Sequence, residues 1–307
     1  MAKQSATGVL VATKSIVLLR VLVYAAMTLI TLIFWGLMLL LSYALGSAGA
    51  IVILIAAAAT FGFFQLAKRY VLYLIRAGHV YAMTRFLKNG ELPGGGAYPY
   101  CQRVVTDNFA TVNVGALMDA LIEGAVRQIM RWLNRAENLL RFIPGSSALF
   151  NVVNMILSTA GNYIDEAVLS LVFMREHEPN KWKTAADGVV LYAQSWKGML
   201  KGAAKVVAMV WGLRAAAFIV FALIGSIWGS AFAVILGLAM AWFADGALVN
   251  PFATAIMIEQ YHASIEGVQP AMDLYEKLSG VSSKFRQLWD KASSPQTPPE
   301  QGEIPAQ

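Results

Sequence analysis

Between Arg20 and Lys68 the chain carries no charged side chain, and residues 1–90 contain no acid at all. The first part of that stretch, Val21 to Leu45, is about 25 residues long. At a rise of about 1.5 Å per residue it crosses a hydrocarbon core of roughly 30 Å. Gly46-Ser47-Ala48-Gly49 makes a short turn, and Ala50 to Ala67 leads back. Lys3, Lys14 and Arg20 flank one end of this hairpin, and Lys68, Arg69 and Arg76 flank the other. Basic residues gather on the cytoplasmic side of membrane proteins, so both ends are expected there. A cleaved signal peptide is the competing reading, with Ala44-Leu45-Gly46-Ser47-Ala48 as its site. The apolar region exceeds the usual roughly 7 to 15 residues of such a peptide, and a second span follows at once.

The rest of the chain repeats the pattern. Only 14% of its 307 residues are charged and 58% are hydrophobic, against about 25% charged in a soluble domain. Residues 206–224 and 231–249 read as a second pair of spans. The chain is thus expected to be all-α, a polytopic helical membrane protein with spans at about 21–45, 50–67, 206–224 and 231–249. Residues 146–174 are apolar but dotted with Asn151, Asn154, Asn162, Asp165 and Glu166, and basic residues flank both sides. That segment either re-enters, with Gly161-Asn162 as its hinge, or adds two crossings, giving six spans. Residues 1–292 form one integral membrane domain. Residues 293–307, with four prolines and little apolar mass, are expected to be disordered.

Interfacial helices link the spans. An amphipathic stretch runs from Lys68 to Leu87 and suits Tyr70, Tyr73 and Tyr81 to the headgroup level. Glu91-Leu92-Pro93-Gly94-Gly95-Gly96 breaks it. No strand precedes these glycines and no Lys-Ser/Thr pair follows, so a phosphate-cradling loop is excluded. From Val112 to Leu140 a helix is expected, with Asp119, Glu123, Arg127, Arg131 and Arg135 on one drifting stripe and Met118, Ile122, Ala125 and Ile129 on the other face. The stripe reads as a solvated or headgroup-facing edge, with a phosphate grip as the sharper alternative. Trp182 and Trp196 sit in a connector over 181–205, where Lys197, Lys201 and Lys205 share one face. With a net charge of +6 the chain is expected to lie against anionic lipid. Lys68, Arg69, Arg76, Lys197, Lys201 and Lys205 are the expected headgroup contacts, and nucleic acid is not an expected partner.

Charge inside a span is rare and usually faces the bundle interior or water. Arg214 is such a residue, about 13 Å beyond Lys205 at a rise of about 1.5 Å. If Trp211 and Trp228 instead mark the two interfaces, its guanidinium snorkels outward. Asp245, near the end of the fourth span, is its natural partner. Asn250-Pro251 reads as a helix start, with Asn250 as the cap. Arg214, Asp245 and Asn250 form the candidate intramembrane polar site. Asp165 and Glu166 are adjacent, point about 100° apart on a helix and read as a polar edge.

Enzyme chemistry finds no support. One cysteine, Cys101, and three separated histidines offer neither a disulfide nor a metal box, and no nucleophile elbow or Cys/His dyad is visible. No cofactor is expected.

The stretch Gly161-Asn162-Tyr163-Ile164-Asp165-Glu166-Ala167-Val168-Leu169, then an interfacial helix ending Ser195-Trp196-Lys197-Gly198-Met199-Leu200-Lys201-Gly202, then a tight pair of spans, resembles in layout the C-terminal part of choline transporter-like proteins and related polytopic families. The likeness covers about a third of the chain. It implies solute or lipid-headgroup handling and transfers no functional residue. Two functions follow as expectations. The first is a non-enzymatic component that binds a partner or organises a membrane complex, in the cytoplasmic membrane with both termini cytoplasmic, with a protein partner or as a homo-oligomer. The second is a transporter or permease for a small polar solute or lipid headgroup.

Overall fold

The computed structural model describes residues 6–90, 97–109, 112–138, 161–175 and 177–294. Every regular element among them is helical, and four helices are long and apolar enough to cross a membrane: Lys14–Ala44, Gly46–Asn89, Gly202–Gly225 and Ala233–Ile265. The chain is an all-α polytopic membrane protein, and the four spans fall where the uncharged runs place them.

Two hairpins carry the spans. A short α1 (Ala6–Ala12) precedes α2 (Lys14–Ala44), which turns through Gly46–Ala48 into α3 (Gly49–Ala67). Far along the chain, α8 (Lys181–Gly225) turns through Ser226–Trp228 into α9 (Ser230–Ala244). Trp242 of α9 joins the hairpins, its ring 4.8 Å from Tyr24 of α2 and 4.8 Å from Phe64 of α3. The outward faces are apolar: Leu22, Leu29, Ile33, Leu54, Phe61, Ile219, Leu223 and Leu238 are all exposed. In water such a surface would collapse, so it marks the lipid-facing zone.

These helices are longer than a bilayer needs. The 45 residues of α8 span roughly 65 Å at about 1.5 Å each, twice the hydrocarbon thickness. Its first half, from Ala185 to Val210, is studded with buried apolar residues, while Trp211 to Ile227 presents exposed ones. The extra length builds a second, densely packed helical body beyond the spans. It comprises α4 (Tyr73–Asn89), α5 (Ala97–Phe109), α6 (Val112–Asn138), α7 (Ile164–Met174), α10 (Asn250–Ile265), α11 (Met272–Val281) and α12 (Ser283–Ser293). At its centre lies α7, buried from Ile164 to Phe173 and walled by α4, α6, α8 and α10.

That position bears on residues 161–174 of the expected re-entrant or spanning segment. Residues 146–160 lie outside the described residues. The remainder opens with a 3-10 turn, Gly161–Tyr163, and continues as an 11-residue helix, too short to cross a bilayer and covered by protein on every side. Gly161-Asn162 opens a core helix, and the arm expected to precede it lies outside the described residues. The expected amphipathic helix after Lys68 is present but belongs to the core, with Tyr73 3% exposed, and Trp196 is buried as well. The apolar face of α6 is buried at Met118, Ile122, Ala125 and Ile129, as its spacing predicts. The Glu91–Gly96 break and the tail from Pro295 lie outside the described residues.

The helix that Asn250-Pro251 signals is present as α10, with Asn250 as its first residue and not its cap. The backbone passes through it continuously, because Asp245–Val249 forms a π turn between α9 and α10. Proline has no N–H to donate and its ring clashes with the carbonyl four residues back. Widening the preceding turn removes that conflict without a break.

Packing between α4 and α5 leaves no space at Gly78, where a Cβ would lie 2.5 Å from both Cβ and Sγ of Cys101. Burial pushes the Cys101 thiol up to about 12. The native protein should therefore resist maleimide at neutral pH and label fully in denaturant, since only the thiolate reacts. Gly78→Val should abolish that protection. Prompt labelling of the folded wild type would contradict this packing.

Candidate functional site

Where the two hairpins enter the helical body, a cleft of about 340 Å³ is walled by α2, α3, α4, α6, α7, α8, α9, α10 and the π turn. Four guanidiniums line it, Arg20, Arg76, Arg127 and Arg214, together with the carboxyl groups of Glu123, Asp165, Glu166 and Asp245. Each guanidinium comes from a different helix: α2, α4, α6 and α8.

Arg76 is the hub. Its Nη2 donates to Asp119 Oδ2, and its Nη1 lies 3.5 Å from Glu166 Oε1 and 3.6 Å from Asp165 Oδ2. The acid-free N-terminal stretch supplies the cation, and two later helices, α6 and α7, supply the anions. Arg76 is thus not a headgroup contact on an open surface but the centre of an internal ion cluster. Asp165 and Glu166 are corrected with it. They are 1% and 3% exposed, not a polar edge. Their divergence of about 100° does not separate them, because Nη1 of Arg76 sits between the two side chains at the first turn of α7, where the helix dipole also favours negative charge. Burial, then the neighbouring Glu166 charge, pushes the Asp165 carboxyl well above its ordinary range, and burial also raises Glu166.

Arg20 is buried at 4% exposure and has no carboxylate in ion-pair contact among the described residues. Its Nη1 lies 3.4 Å from Nδ1 of the fully buried His79. A guanidinium only donates, so Nδ1 accepts and the ring proton sits on Nε2, which donates to Thr13 Oγ1 at 2.9 Å. Thr13 passes its own proton to the Val9 carbonyl at 3.0 Å. This chain of hydrogen bonds ties α1, α2 and α4 together and holds His79 neutral.

The expected Arg214–Asp245 pair is formed. Nε and Nη2 of Arg214 each lie 2.8 Å from Asp245 Oδ1, a charge-assisted contact across the second hairpin. Arg214 is 38% exposed at its side chain, beside the exposed Trp211. Asn250 is at the same cleft but caps nothing: its Oδ1 accepts from the Tyr163 hydroxyl at 3.0 Å. Gly246 is required next to Asp245, because a Cβ there would lie 1.8 Å from Tyr24 Cε1. Of the expected headgroup lysines, Lys197 and Lys205 are exposed on α8, with Lys197 Nζ 5.6 Å from the Trp196 ring. The side chains of Lys68, Arg69 and Lys201 lie outside the described ones.

Sequence reasoning brings Arg214 to Asp245 and places Glu123 and Arg127 on one stripe, where they lie 2.5 Å apart. It misses the cluster around Arg76. One signal was present: a buried arginine in a stretch without acids must draw its counter-charge from elsewhere in the chain. Among the described residues no three His, Cys, Asp or Glu side chains are placed to hold a metal ion; in the acidic group, Arg76 occupies the central position. Compared with protein-family models, curated proteins and solved structures, the chain matches none.

Removing the hub leaves three carboxyl groups buried together. Arg76→Gln should cost about 3 to 5 kcal/mol in detergent unfolding, as breaking a buried ion cluster does. A carboxyl whose folded pKa is raised stabilises at low pH and loses that contribution as pH rises through the folded value. The deficit of Arg76→Gln should therefore shrink at about pH 5 and widen at about pH 8. A small deficit that is equal at both would refute the central role of this cluster.

Proposed function

We propose that this chain is a non-enzymatic integral membrane protein that acts as a partner-binding or organising component of a membrane complex, in the cytoplasmic membrane with its helical body and both termini on the cytoplasmic side. The observation that carries this reading is the absence, among the described residues, of any charged side chain in the spans beyond the Arg214–Asp245 pair. From Ala215 to Gly225 on α8 and from Ser230 to Ala244 on α9, no residue is ionisable. The hydroxyls of Thr31 and Thr60 turn back to carbonyls of their own helices at 2.8 Å. A polar solute would therefore meet an apolar barrier after the cleft. Meanwhile the outward faces of two slender hairpins offer apolar surface to partner helices, which associate in lipid by close packing. The basic residues at the body end of each hairpin support the orientation.

A permease remains the second reading, favoured by the cleft and by Arg214 at its wall. Single cysteines placed across residues 208–220, in a Cys101→Ser background, separate the two. A water-soluble thiol reagent should label positions up to 214 and none beyond. Labelling that recurs every three or four residues through 220 would reveal a water-lined face and overturn the partner reading. In parallel, mass photometry of protein extracted into nanodiscs should show an assembly larger than one chain. A lone monomer across the accessible concentration range would count against it.

A further inference from the structure

A second cavity, of about 360 Å³, lies beside the cleft, between the body end of α3 and the first half of α6. Tyr73, Arg76 and Glu123 line both spaces and so stand between them. The charges at this second wall are answered within the fold. Arg76 meets Asp119, and Glu123 lies 2.5 Å from Arg127. Among the described residues that line the cavity, every cation and anion is paired, so a ligand bearing net charge finds nothing here to neutralise it.

What remains is neutral hydrogen-bonding capacity. The Tyr73 hydroxyl is buried and has no hydrogen-bond partner in the structure, although a buried hydroxyl is costly unless bonded. Gln65 and Asn113 are exposed, and neither carboxamide bonds to another described residue. The carboxylates of Asp119 and Glu123 keep lone pairs that accept further hydrogen bonds while ion-paired. A hydroxyl both donates and accepts. A wall of carboxylates, carboxamides and one phenol therefore suits a group with several adjacent hydroxyls, each donating to a carboxylate or carbonyl and accepting from an amide.

The place of the cavity in the fold bears on the source of that group. Gln65 comes two residues before the end of α3, whose upper part faces lipid at Leu54 and Phe61. Leu117, also in the cavity wall, is 43% exposed. The space thus lies at the body end of the spans, where hydrocarbon gives way to headgroups.

We propose that this second cavity binds an uncharged, hydroxyl-rich group, the sugar headgroup of a glycosyl diacylglycerol or a soluble sugar, through Tyr73, Gln65, Asn113 and the paired carboxylates of Asp119 and Glu123. The site does not rest on the partner reading above, since a complex component can carry it or lack it. It also makes no use of the guanidiniums as anion receptors.

Native mass spectrometry of the full chain tests this, with the protein delipidated in a sugar-free detergent and then offered lipids in mixed micelles. The probes are monoglucosyl and monogalactosyl diacylglycerol, phosphatidylethanolamine and plain diacylglycerol, with methyl glucoside and methyl galactoside as soluble probes. A site built to hydrogen-bond hydroxyls rejects the analogue that lacks them. Retention of one glycosyl lipid per chain, with diacylglycerol and phosphatidylethanolamine lost, is the expected result and assigns the lipid source. Thermal stabilisation by a methyl glycoside without glycosyl-lipid retention assigns the soluble source. Tyr73→Phe keeps the ring and breaks no hydrogen bond of the protein, so its unliganded melting temperature should not fall. Its binding of whichever glycoside the wild type takes should weaken roughly fivefold, the loss of one hydrogen bond of about 1 kcal/mol. Gln65→Leu, at an exposed position, should weaken it similarly. Retention of diacylglycerol equal to that of the glycosyl lipids, with no response to either methyl glycoside, would overturn the proposal. So would wild-type binding in both variants. None of these readouts is the oligomeric state, so their failure leaves the partner reading standing.

Discussion

A cation buried among three carboxyl groups cannot be built from one segment of this chain. Arg76 stands in a stretch of ninety residues without an acid, so its neutralisation requires α6 and α7 to be in place. Burying an unpaired guanidinium costs several kcal/mol, and the cluster converts that penalty into a demand that three helices meet at one point. The demand extends outward. Glu166 and Tyr163 lie at the start of α7, Tyr163 binds Asn250 at the start of α10, and Asn250 follows the π turn that carries Asp245 to Arg214. The junction between membrane hairpins and helical body is thus a single polar framework inside an apolar protein.

The two ends of the molecule are held by different physics. In the body, apolar side chains leave water, and the core runs without interruption from α1 to α12. In the spans that driving force is absent, since lipid is as apolar as leucine. The hairpins then depend on short turns, on threonine hydroxyls bonded to their own helices, and on the Tyr24, Phe64 and Trp242 rings. Helix continuity couples the regimes. Because α8 passes from one to the other without a break, any tilt of the second hairpin must be transmitted to the packed half of the same helix, within the π turn's capacity to absorb it.

Much of this was legible in the sequence, and the limit is instructive. Uncharged runs located four spans because nothing but lipid accommodates them at that length. The Arg214–Asp245 pair was legible because two antiparallel neighbours bring their equivalent depths together. The spacing on α6 located its buried face. Residues 161–174 misled because composition alone does not distinguish apolar surroundings made of lipid from apolar surroundings made of protein; an 11-residue core helix and a short re-entrant segment share the same residue types. Asp165 and Glu166 were hidden by a local rule. Divergence along one helix separates neighbours only on a flat surface, and a long side chain from a third element can reach both.

The same lesson bears on how charge should be read in a chain this poor in it. Lys197 and Lys205 are exposed and periodic, as a surface stripe should be. Arg76 looks identical in sequence, a basic residue after an apolar run, yet it lies inside. What distinguishes them is their surroundings: Arg76 is followed by Ala77, Gly78 and His79, all buried, on a helix with no polar face wide enough to stay wet. A cation on such a helix must be met by anions from elsewhere. Asp119, Asp165 and Glu166 supply them here, and the same cleft repeats the balance with Glu123 against Arg127 and Asp245 against Arg214, so each cation at the junction is matched by a carboxyl from the fold.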